Sequence, residues 1–257
     1  MYRTNVDAAH RSSDLMKAKN LEEFIETLSK IPLEFSPGDK WNYSVSTDVL
    51  GYLVEKLSGQ KLDEYFKEHI FEPLGMVDTD FHCPEDKKFR LASLYEHDPL
   101  GGKPNHMEVP SLDVEMFSGG GGLFSTLSDY YKFASMLLNQ GELDGNRIIG
   151  RKTLDYMITN HLPDGKDLTE MSESAFSETP YAGVGFGLGF SVMLDPAKSQ
   201  ALSDIGEFGW GGMASTVYFI NPKEDMLVIF LTQLIPSSTY QVRRELRSLV
   251  YSALKPI

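Results

Sequence analysis

Apolar residues recur at helical spacing through the first half of the chain. The first group predicts a helix over about residues 21–30, and its apolar positions are Leu21, Phe24, Ile25 and Leu28. A second helix is predicted to begin near Thr47 and Asp48, whose side chains can cap it, and to end at Gly59. Further helices are predicted at about residues 63–71, after Thr126, and at about residues 151–160.

The pattern changes to short apolar runs after a polar stretch, Pro163–Thr179. These runs predict strands over Phe186–Leu194, Ile205–Trp210, Ser215–Ile220 and Met226–Leu231. The chain closes with a predicted helix whose apolar stripe is Val242, Leu246, Leu249, Val250 and Ala253.

Consecutive strands followed by a helix predict an antiparallel sheet with a helix against one face, so the expected fold class is α+β. We expect a single domain over residues 1–257, with a helical lobe over about residues 20–162 and a C-terminal sheet and helix over about residues 183–257. No strand is predicted before residue 21, and Met1–Asp7 lacks the apolar core of a signal peptide. We therefore expect no export signal in this sequence, with the cytoplasm as the default location.

Composition and charge remove several classes of partner. The 257 residues carry 24 Lys and Arg against 37 Asp and Glu, a net charge of −13, which disfavours binding to a phosphate backbone. The longest basic cluster is Arg243 and Arg244 with Arg247, which we interpret as one face of a helix. No apolar run approaches the roughly 20 residues of a membrane-spanning helix. We expect neither a nucleic-acid partner nor a membrane span.

The sequence also lacks the usual signatures of metals and cofactors. Cys83 is the only cysteine, and none of the six histidines pairs with another histidine or with a cysteine at the spacing of a zinc site. Neither Gly119–Gly122 nor Gly183–Gly189 matches a dinucleotide-binding or P-loop pattern, and the G-x-S-x-G elbow is absent. We expect no metal and no cofactor.

Tyr43 is the first candidate for chemistry. It follows Trp41 in a loop just before the helix predicted at Thr47. A phenol in a cleft near cationic groups can ionise and serve as a general base. The alternative is a hydrogen-bonded core tyrosine.

The second candidate is the segment Trp210-Gly211-Gly212-Met213 at the end of a predicted strand. Glycines there let a substrate approach the backbone, and an exposed N–H can stabilise an oxyanion. The alternative is a strand end with a packing tryptophan.

Several separated motifs together resemble the serine β-lactamase-like hydrolases, which include class C β-lactamases, family VIII esterases, D-aminopeptidases and related penicillin-binding proteins. The motifs are Pro37-Gly38-x-x-Trp41-x-Tyr43-Ser44 with Asp48–Gly51, Ile70–Met76 with Asp78, Thr79 and Phe81, Ser118–Asp129, Phe208–Gly212, and Asn221-Pro222. The resemblance runs from about residue 20 to the end. It implies a β-lactamase/transpeptidase-like fold, with an antiparallel sheet flanked by helices and a mostly helical lobe.

The resemblance implies roles for both candidate sites. Tyr43 matches the tyrosine of the second family motif, which acts as general base or proton shuttle. Trp210-Gly211-Gly212 matches the third motif, and the Met213 N–H would be one of two oxyanion donors. The implied chemistry is acyl transfer from a small-molecule ester or amide through an acyl-enzyme.

Two departures from the family pattern bear on substrate. Val45 stands where β-lactamases have asparagine, and Trp210 stands where they have lysine. Both changes remove polar contacts to a β-lactam, so we expect an esterase-like activity rather than a β-lactamase activity.

The largest departure is the nucleophile. The family's Ser-x-x-Lys lies at a helix start before the tyrosine, yet no serine before Tyr43 has a lysine three residues on. Ser58 and Ser252 do, but both are predicted near helix C-termini, where the helix dipole opposes an anion. We therefore expect no nucleophile here, with the N-terminal strands and nucleophile helix missing as in an N-terminal truncation, and a chain inactive alone. The alternative is a catalytically dead homologue that binds a ligand or partner.

Overall fold

The computed structural model describes residues 5–109, 114–172 and 181–255. The chain divides into two compact units. The first unit comprises residues 1–88 and 111–126, and the second comprises residues 89–110 and 127–257. This division differs from the predicted lobes at 20–162 and 183–257, and the single-domain organisation stays a prediction.

The first unit is helical. Its helices are α1 (Asn5–Ser12), α2 (Leu21–Leu28), α3 (Ser46–Ser58) and α4 (Leu62–Phe66), with a 3₁₀ turn at Leu15–Lys17 and a π-helical turn at Lys67–Phe71. A further 3₁₀ turn, Glu85–Arg90, includes the last residues of segment 1–88 and the first two of the second unit. Leu21, Leu62 and Phe81 form its buried core. The predictions of α2, α3 and the 63–71 helix are confirmed. Helix α1 was not predicted because it buries no residue and so has no apolar stripe to detect.

The start of α3 is held by the glycine-rich segment rather than by its own cap. Asp48 was predicted to cap the helix, but the N-cap position is Val45, which has no polar side chain. The buried Asp48 carboxylate instead accepts a hydrogen bond of 2.5 Å from the Ser118 hydroxyl. Beside this contact, a Cβ added at Gly119 would lie 2.1 Å from the Thr47 carbonyl oxygen. Only glycine therefore permits the segment to lie this close to the first turn of α3.

The second unit combines helices with short strands. Its helices are α5 (Leu127–Leu138), α6 (Arg151–Met157), α7 (Leu168–Met171), α8 (Pro196–Ser199) and α9 (Val242–Ser252), with a 3₁₀ turn at Pro163–Gly165. Its strands are β1 (Leu94–Glu96), β2 (Asn105–Met107), β3 (Glu142–Leu143), β4 (Asn146–Arg147), β5 (Val184–Phe186), β6 (Ser191–Met193), β7 (Phe208–Gly211), β8 (Val217–Asn221), β9 (Met226–Phe230) and β10 (Leu234–Ile235).

The main sheet has the order β5-β6-β7-β8-β9, and every neighbouring pair is antiparallel. Strand β1 pairs with β2 and β10 in a separate small sheet, and β3 with β4 in a hairpin. The α+β prediction is confirmed, as are the strands at β7, β8 and β9. The single strand predicted over Phe186–Leu194 is wrong, because Gly189 at φ +98° turns the chain between β5 and β6.

The predicted apolar stripe of α9 is only partly buried: Val242, Leu246 and Val250 are half-buried, whereas Leu249 and Ala253 are exposed. Leu249, placed in the apolar stripe, is 71% exposed. The residues of α9 that contact the main sheet include Arg247 and Tyr251, whose side chains lie against Phe219 of β8. The ring centroids of Tyr251 and Phe219 are 6.3 Å apart, and the Arg247 guanidinium lies 4.4 Å from the Phe219 centroid. Apolar periodicity therefore located part of the packed face, and it missed Arg247 and Tyr251 because a guanidinium and a phenol ring also pack on the sheet.

The polar stretch predicted at Pro163–Thr179 contains the short helix α7, although residues 173–180 lie outside the described part of the chain. The buried Asp167 carboxylate caps α7, accepts from the Gly183 N–H and pairs with Lys198. Burial alone would raise the pKa of Asp167, but these hydrogen bonds outweigh it and lower that pKa. No helix within the described ranges is both long enough and apolar enough to cross a membrane.

Glycine at position 119 is expected to be essential for stability, while its neighbour Gly121 is not. We expect Gly119→Ala to lower the free energy of unfolding by about 1–3 kcal/mol, since the new methyl group would collide with backbone. Gly121→Ala is the matched control, because a Cβ there meets no heavy atom within 4 Å. Chemical denaturation of both variants measures the difference, and equal stabilities would contradict the close approach.

Alkaline pH is expected to destabilise the second unit through two tyrosines. The rings of Tyr130 and Tyr218 are 5.2 Å apart, and burial raises the pKa of Tyr130 to about 12 and that of Tyr218 well above its ordinary value. A raised folded-state pKa contributes stability below the unfolded-state value of about 10, and this contribution is lost as pH rises towards about 12.

We therefore expect the free energy of unfolding to fall between pH 10 and 12, by up to about 1.4 kcal/mol per pH unit for each tyrosine. Denaturant titrations at several pH values measure this slope. Tyr130→Phe should make the slope shallower, and Tyr131→Phe, which changes an exposed tyrosine, should leave it unchanged. An unchanged slope in Tyr130→Phe would contradict the assignment.

Candidate active site

Tyr43 lies in the first unit, at the surface, in the loop that leads into α3. Its side chain is 55% exposed, so the alternative of a core tyrosine is not supported. The Trp41 and Tyr43 ring centroids are 6.3 Å apart. Tyr43 lies three residues before α3, which begins at Ser46, and the Ser44 and Ser46 hydroxyls share a hydrogen bond of 2.8 Å. The phenol is therefore presented to solvent on a segment anchored directly to a helix start.

The first turn of α3, which follows this loop, is itself held by a contact between Asp48 and Ser118. The Ser118 hydroxyl donates to Asp48 and accepts from the Gly120 N–H at 3.1 Å. Two motifs separated by 70 residues, Asp48–Gly51 and Ser118–Gly122, are thus one structural element. Sequence reasoning noted both motifs but had no signal that joined them.

The other candidate residues lie together in the second unit, at the end of β7. Trp210 and Gly211 are the last residues of β7, and Gly212 and Met213 begin the loop to β8. The Gly212 N–H donates to the Thr216 carbonyl at 2.9 Å, and the Ser215 N–H donates to the Gly212 carbonyl at 3.1 Å. Ser215 has φ +71°. These features describe a three-residue hairpin loop with its third residue in the left-handed region.

The loop leaves the Met213 N–H available. The hairpin closes through the amides of Gly212 and Ser215, and Met213 lies between them. Within the described ranges, no backbone bond uses the Met213 N–H as donor, and its side chain is 72% exposed. The amide can therefore donate to a ligand without breaking a bond of the fold.

Trp210 stands in an aromatic cluster. Its ring centroid is 5.3 Å from that of Phe186 in an edge-on arrangement and 6.1 Å from that of Tyr181 in a stacked one. A lysine at this position would offer a cation to a substrate carboxylate, whereas this cluster offers an apolar wall.

Strand β7 is also held by a buried charge cluster that the sequence did not reveal. Glu207 precedes β7, is 4% exposed, and accepts hydrogen bonds from Arg247 and from the Tyr251 hydroxyl. Asn221, fully buried at the end of β8, donates to the Tyr251 hydroxyl at 2.7 Å. Burial lowers the pKa of the Arg247 guanidinium and raises that of the Tyr251 phenol. Tyr251 is thus a structural tyrosine, protonated at neutral pH.

A cavity in the second unit adjoins the same strand. Its wall on the sheet side includes Phe208, Trp210 and Val217, and its wall on the helix side includes Arg243 and Arg244. The arginines predicted to form one helix face therefore line this cavity. Among the described residues, no group of three or more His, Cys, Asp or Glu side chains is placed to hold a metal ion.

The two serines of the Ser-x-x-Lys matches lie where the sequence placed them. Ser58 is the last residue of α3, its hydroxyl donates back to the Val54 carbonyl at 2.6 Å, and Gly59 ends the helix at φ +75°. Ser252 is the last residue of α9 and donates back to the Ser248 carbonyl at 2.6 Å. A hydroxyl bonded to a helical carbonyl at a C-terminus has neither a base nor a favourable dipole.

Comparison with known proteins gives a consistent family. The beta-lactamase family model matches residues 3–251. An uncharacterized protein of Mycobacterium tuberculosis is 35% identical over 225 residues, which are 83% of this chain and 53% of that protein. The lovastatin esterase of Penicillium rubens is 30% identical over 223 residues, 79% of this chain and 52% of that enzyme. Esterase EstB of Burkholderia gladioli is 27% identical over 83% of this chain and 54% of its own length.

Solved structures agree on the fold. The simvastatin synthase of Aspergillus terreus superposes with a TM-score of 0.75 at 26% identity, over 88% of this chain and 58% of the enzyme. EstCE1, a hydrolase with promiscuous acyltransferase activity, superposes with a TM-score of 0.74 at 24% identity, over 90% of this chain and 61% of its own. The chain spans about half the length of the curated relatives it matches.

Proposed function

Because the chain belongs to the beta-lactamase family, whose fold it shares, we propose that it serves acyl-enzyme hydrolysis of small esters or amides, with esters preferred to β-lactams. The observation that carries this proposal is the Met213 N–H, which donates to no backbone acceptor among the described residues and lies two residues after the glycine-bearing strand β7. In this proposal it stabilises the oxyanion that forms when a serine attacks the substrate carbonyl.

Tyr43 is the proposed general base or proton shuttle. Its side chain is 55% exposed and so accessible to a substrate, whereas the side chain of Tyr218 is buried. The preference for esters is supported by the aromatic surroundings of Trp210, which suit a neutral, apolar acyl group better than a carboxylate. Relatives named as a lovastatin esterase and as esterase EstB are consistent with this substrate class.

These 257 residues supply no Ser-x-x-Lys at a helix start, so we propose that the chain alone forms no acyl-enzyme. Incubation with a fluorophosphonate probe followed by intact-mass measurement tests this. We expect no mass increase, because Ser58 and Ser252 lack a base. A label on either serine, or on any other, would overturn this part of the proposal.

The role of Tyr43 is testable in a form of the protein that also carries the Ser-x-x-Lys helix. We expect Tyr43→Phe to lower kcat for p-nitrophenyl butyrate by about 10²–10⁴-fold, the usual contribution of a general base. Tyr131→Phe is the matched control, because both tyrosines are 55% exposed. Equal rates in the two variants would remove the general-base assignment.

The predicted substrate class can be tested with the same form of the protein. We expect p-nitrophenyl butyrate to be hydrolysed with a higher kcat/KM than nitrocefin, since Trp210 offers no cation to a β-lactam carboxylate. Faster nitrocefin hydrolysis would contradict the preference for esters.

The missing nucleophile favours one second candidate, a catalytically dead homologue that binds acylated ligands or a partner. The DNA upstream of the Met1 codon separates the two proposals. An in-frame Ser-x-x-Lys helix there supports the enzyme, and its absence supports the binding role.

A further inference from the structure

The proposed oxyanion donor is one half of a single peptide group. The N–H of Met213 and the carbonyl of Gly212 belong to the same planar unit, so whatever fixes the carbonyl also fixes the direction of the N–H. The partners of the Gly212 carbonyl therefore decide how well the donor is oriented.

Arg243 of α9 is one of those partners. Its Nη2 lies 2.7 Å from the Gly212 carbonyl oxygen and 3.1 Å from the Thr216 carbonyl oxygen. The same guanidinium nitrogen thus spans the two residues that close the hairpin through the Gly212 N–H. A guanidinium donor gives a charge-assisted hydrogen bond, which is stronger than a neutral one. Positive charge at the carbonyl end also polarises the peptide and makes its N–H a better donor.

Gly211 provides the space for this contact. A Cβ added at Gly211 would lie 2.6 Å from Cζ of Arg243, so any side chain there displaces the guanidinium. The glycine of the strand-end motif therefore has a specific function, which is to let a helix side chain reach the backbone of the next residue.

The neighbouring arginines have other partners. Arg244 donates to the Gln200 carbonyl at 3.2 Å, and Arg247 pairs with Glu207. The contact with the oxyanion peptide is thus a property of Arg243 and not of a diffuse basic face.

We propose that Arg243 is a positioning residue for the oxyanion site: it holds and polarises the Gly212–Met213 peptide so that the Met213 N–H points at the substrate oxygen. The proposal rests on the proposed function, because the N–H acts on an oxyanion only if the substrate is an acyl compound. The competing explanation is that Arg243 merely attaches α9 to the sheet.

A dual isotope label isolates this peptide group. With ¹³C-carbonyl glycine and ¹⁵N methionine, only Gly-Met pairs give a carbonyl–amide correlation, and the sequence contains two, Gly75-Met76 and Gly212-Met213. The Gly75–Met76 signal belongs to the first unit and serves as the internal reference.

We expect Arg243→Gln to move the Gly212 carbonyl and Met213 amide resonances upfield, because the carbonyl loses a charged donor. Arg243→Lys should restore part of the shift, and Gly211→Ala should reproduce the loss while keeping the arginine. The Gly75–Met76 signal should stay in place, and Arg244→Gln is the control. A Gly212–Met213 signal that moves no more in Arg243→Gln than in Arg244→Gln would overturn the proposal.

Two further measurements complete the test. The first needs no variant, so it applies even if the variants fail to fold, and the second measures the effect of Arg243 on catalysis. In the unmodified protein, a scalar coupling across the hydrogen bond between the Arg243 guanidinium nitrogen and the Gly212 carbonyl carbon is expected, and its absence would overturn the proposal. In a form that carries the nucleophile, Arg243→Gln should lower kcat with little change in KM, by less than the roughly 10²–10³-fold loss of a whole oxyanion donor. If that form hydrolyses no ester at all, the proposed function fails, while the resonance shifts still decide the role of Arg243.

Discussion

The buried carboxylate of Glu207 sets the constraint on which the second unit depends. A carboxylate removed from water must be paired and fully hydrogen-bonded, and here Arg247 and Tyr251 of α9 supply the partners. This fixes the helix beside the start of β7, and one turn of helix before Arg247 lies Arg243, at the other end of the strand. Helix α9 therefore contacts the polypeptide on both sides of β7, through Arg247 before the strand and Arg243 after it. The position of the hairpin loop thus depends in part on the Glu207–Arg247 ion pair, which has no proposed role in the reaction.

The sequence predicted the elements whose stability comes from apolar periodicity or strong end signals. Helix α3 ends at Gly59 as expected, and β8 and β9 follow their apolar runs. The features that the sequence did not predict have three separate physical causes. Helix α9 packs on the sheet partly through Arg247 and Tyr251, which an analysis of apolar periodicity does not count. The Asp48–Ser118 contact joins residues that are far apart in the sequence. The turn at Gly189 was hidden because glycines alternate with apolar residues through that run.

The sequence predicted the motifs of the candidate site, but it did not predict the residues that hold those motifs in place. Tyr43 and Trp210–Met213 were identified through a family resemblance, and the family itself is established by a match over residues 3–251. Their surroundings came only from the structure, because Glu207, Arg243 and Ser118 belong to no short pattern. Tyr43 and the hairpin loop lie in different compact units, and each unit holds its motif through its own buried polar contacts.

The geometry of the hairpin loop has a consequence for how this site can diversify. The proposed donor at position 213 is a main-chain group, and the methionine side chain attached to it is largely in solvent. Any residue at position 213 can therefore supply the proposed N–H donor, except proline, which has no N–H. In the proposed reaction, substitutions at position 213 change the surface beside the substrate, while the main-chain hydrogen bond to the substrate oxygen remains available.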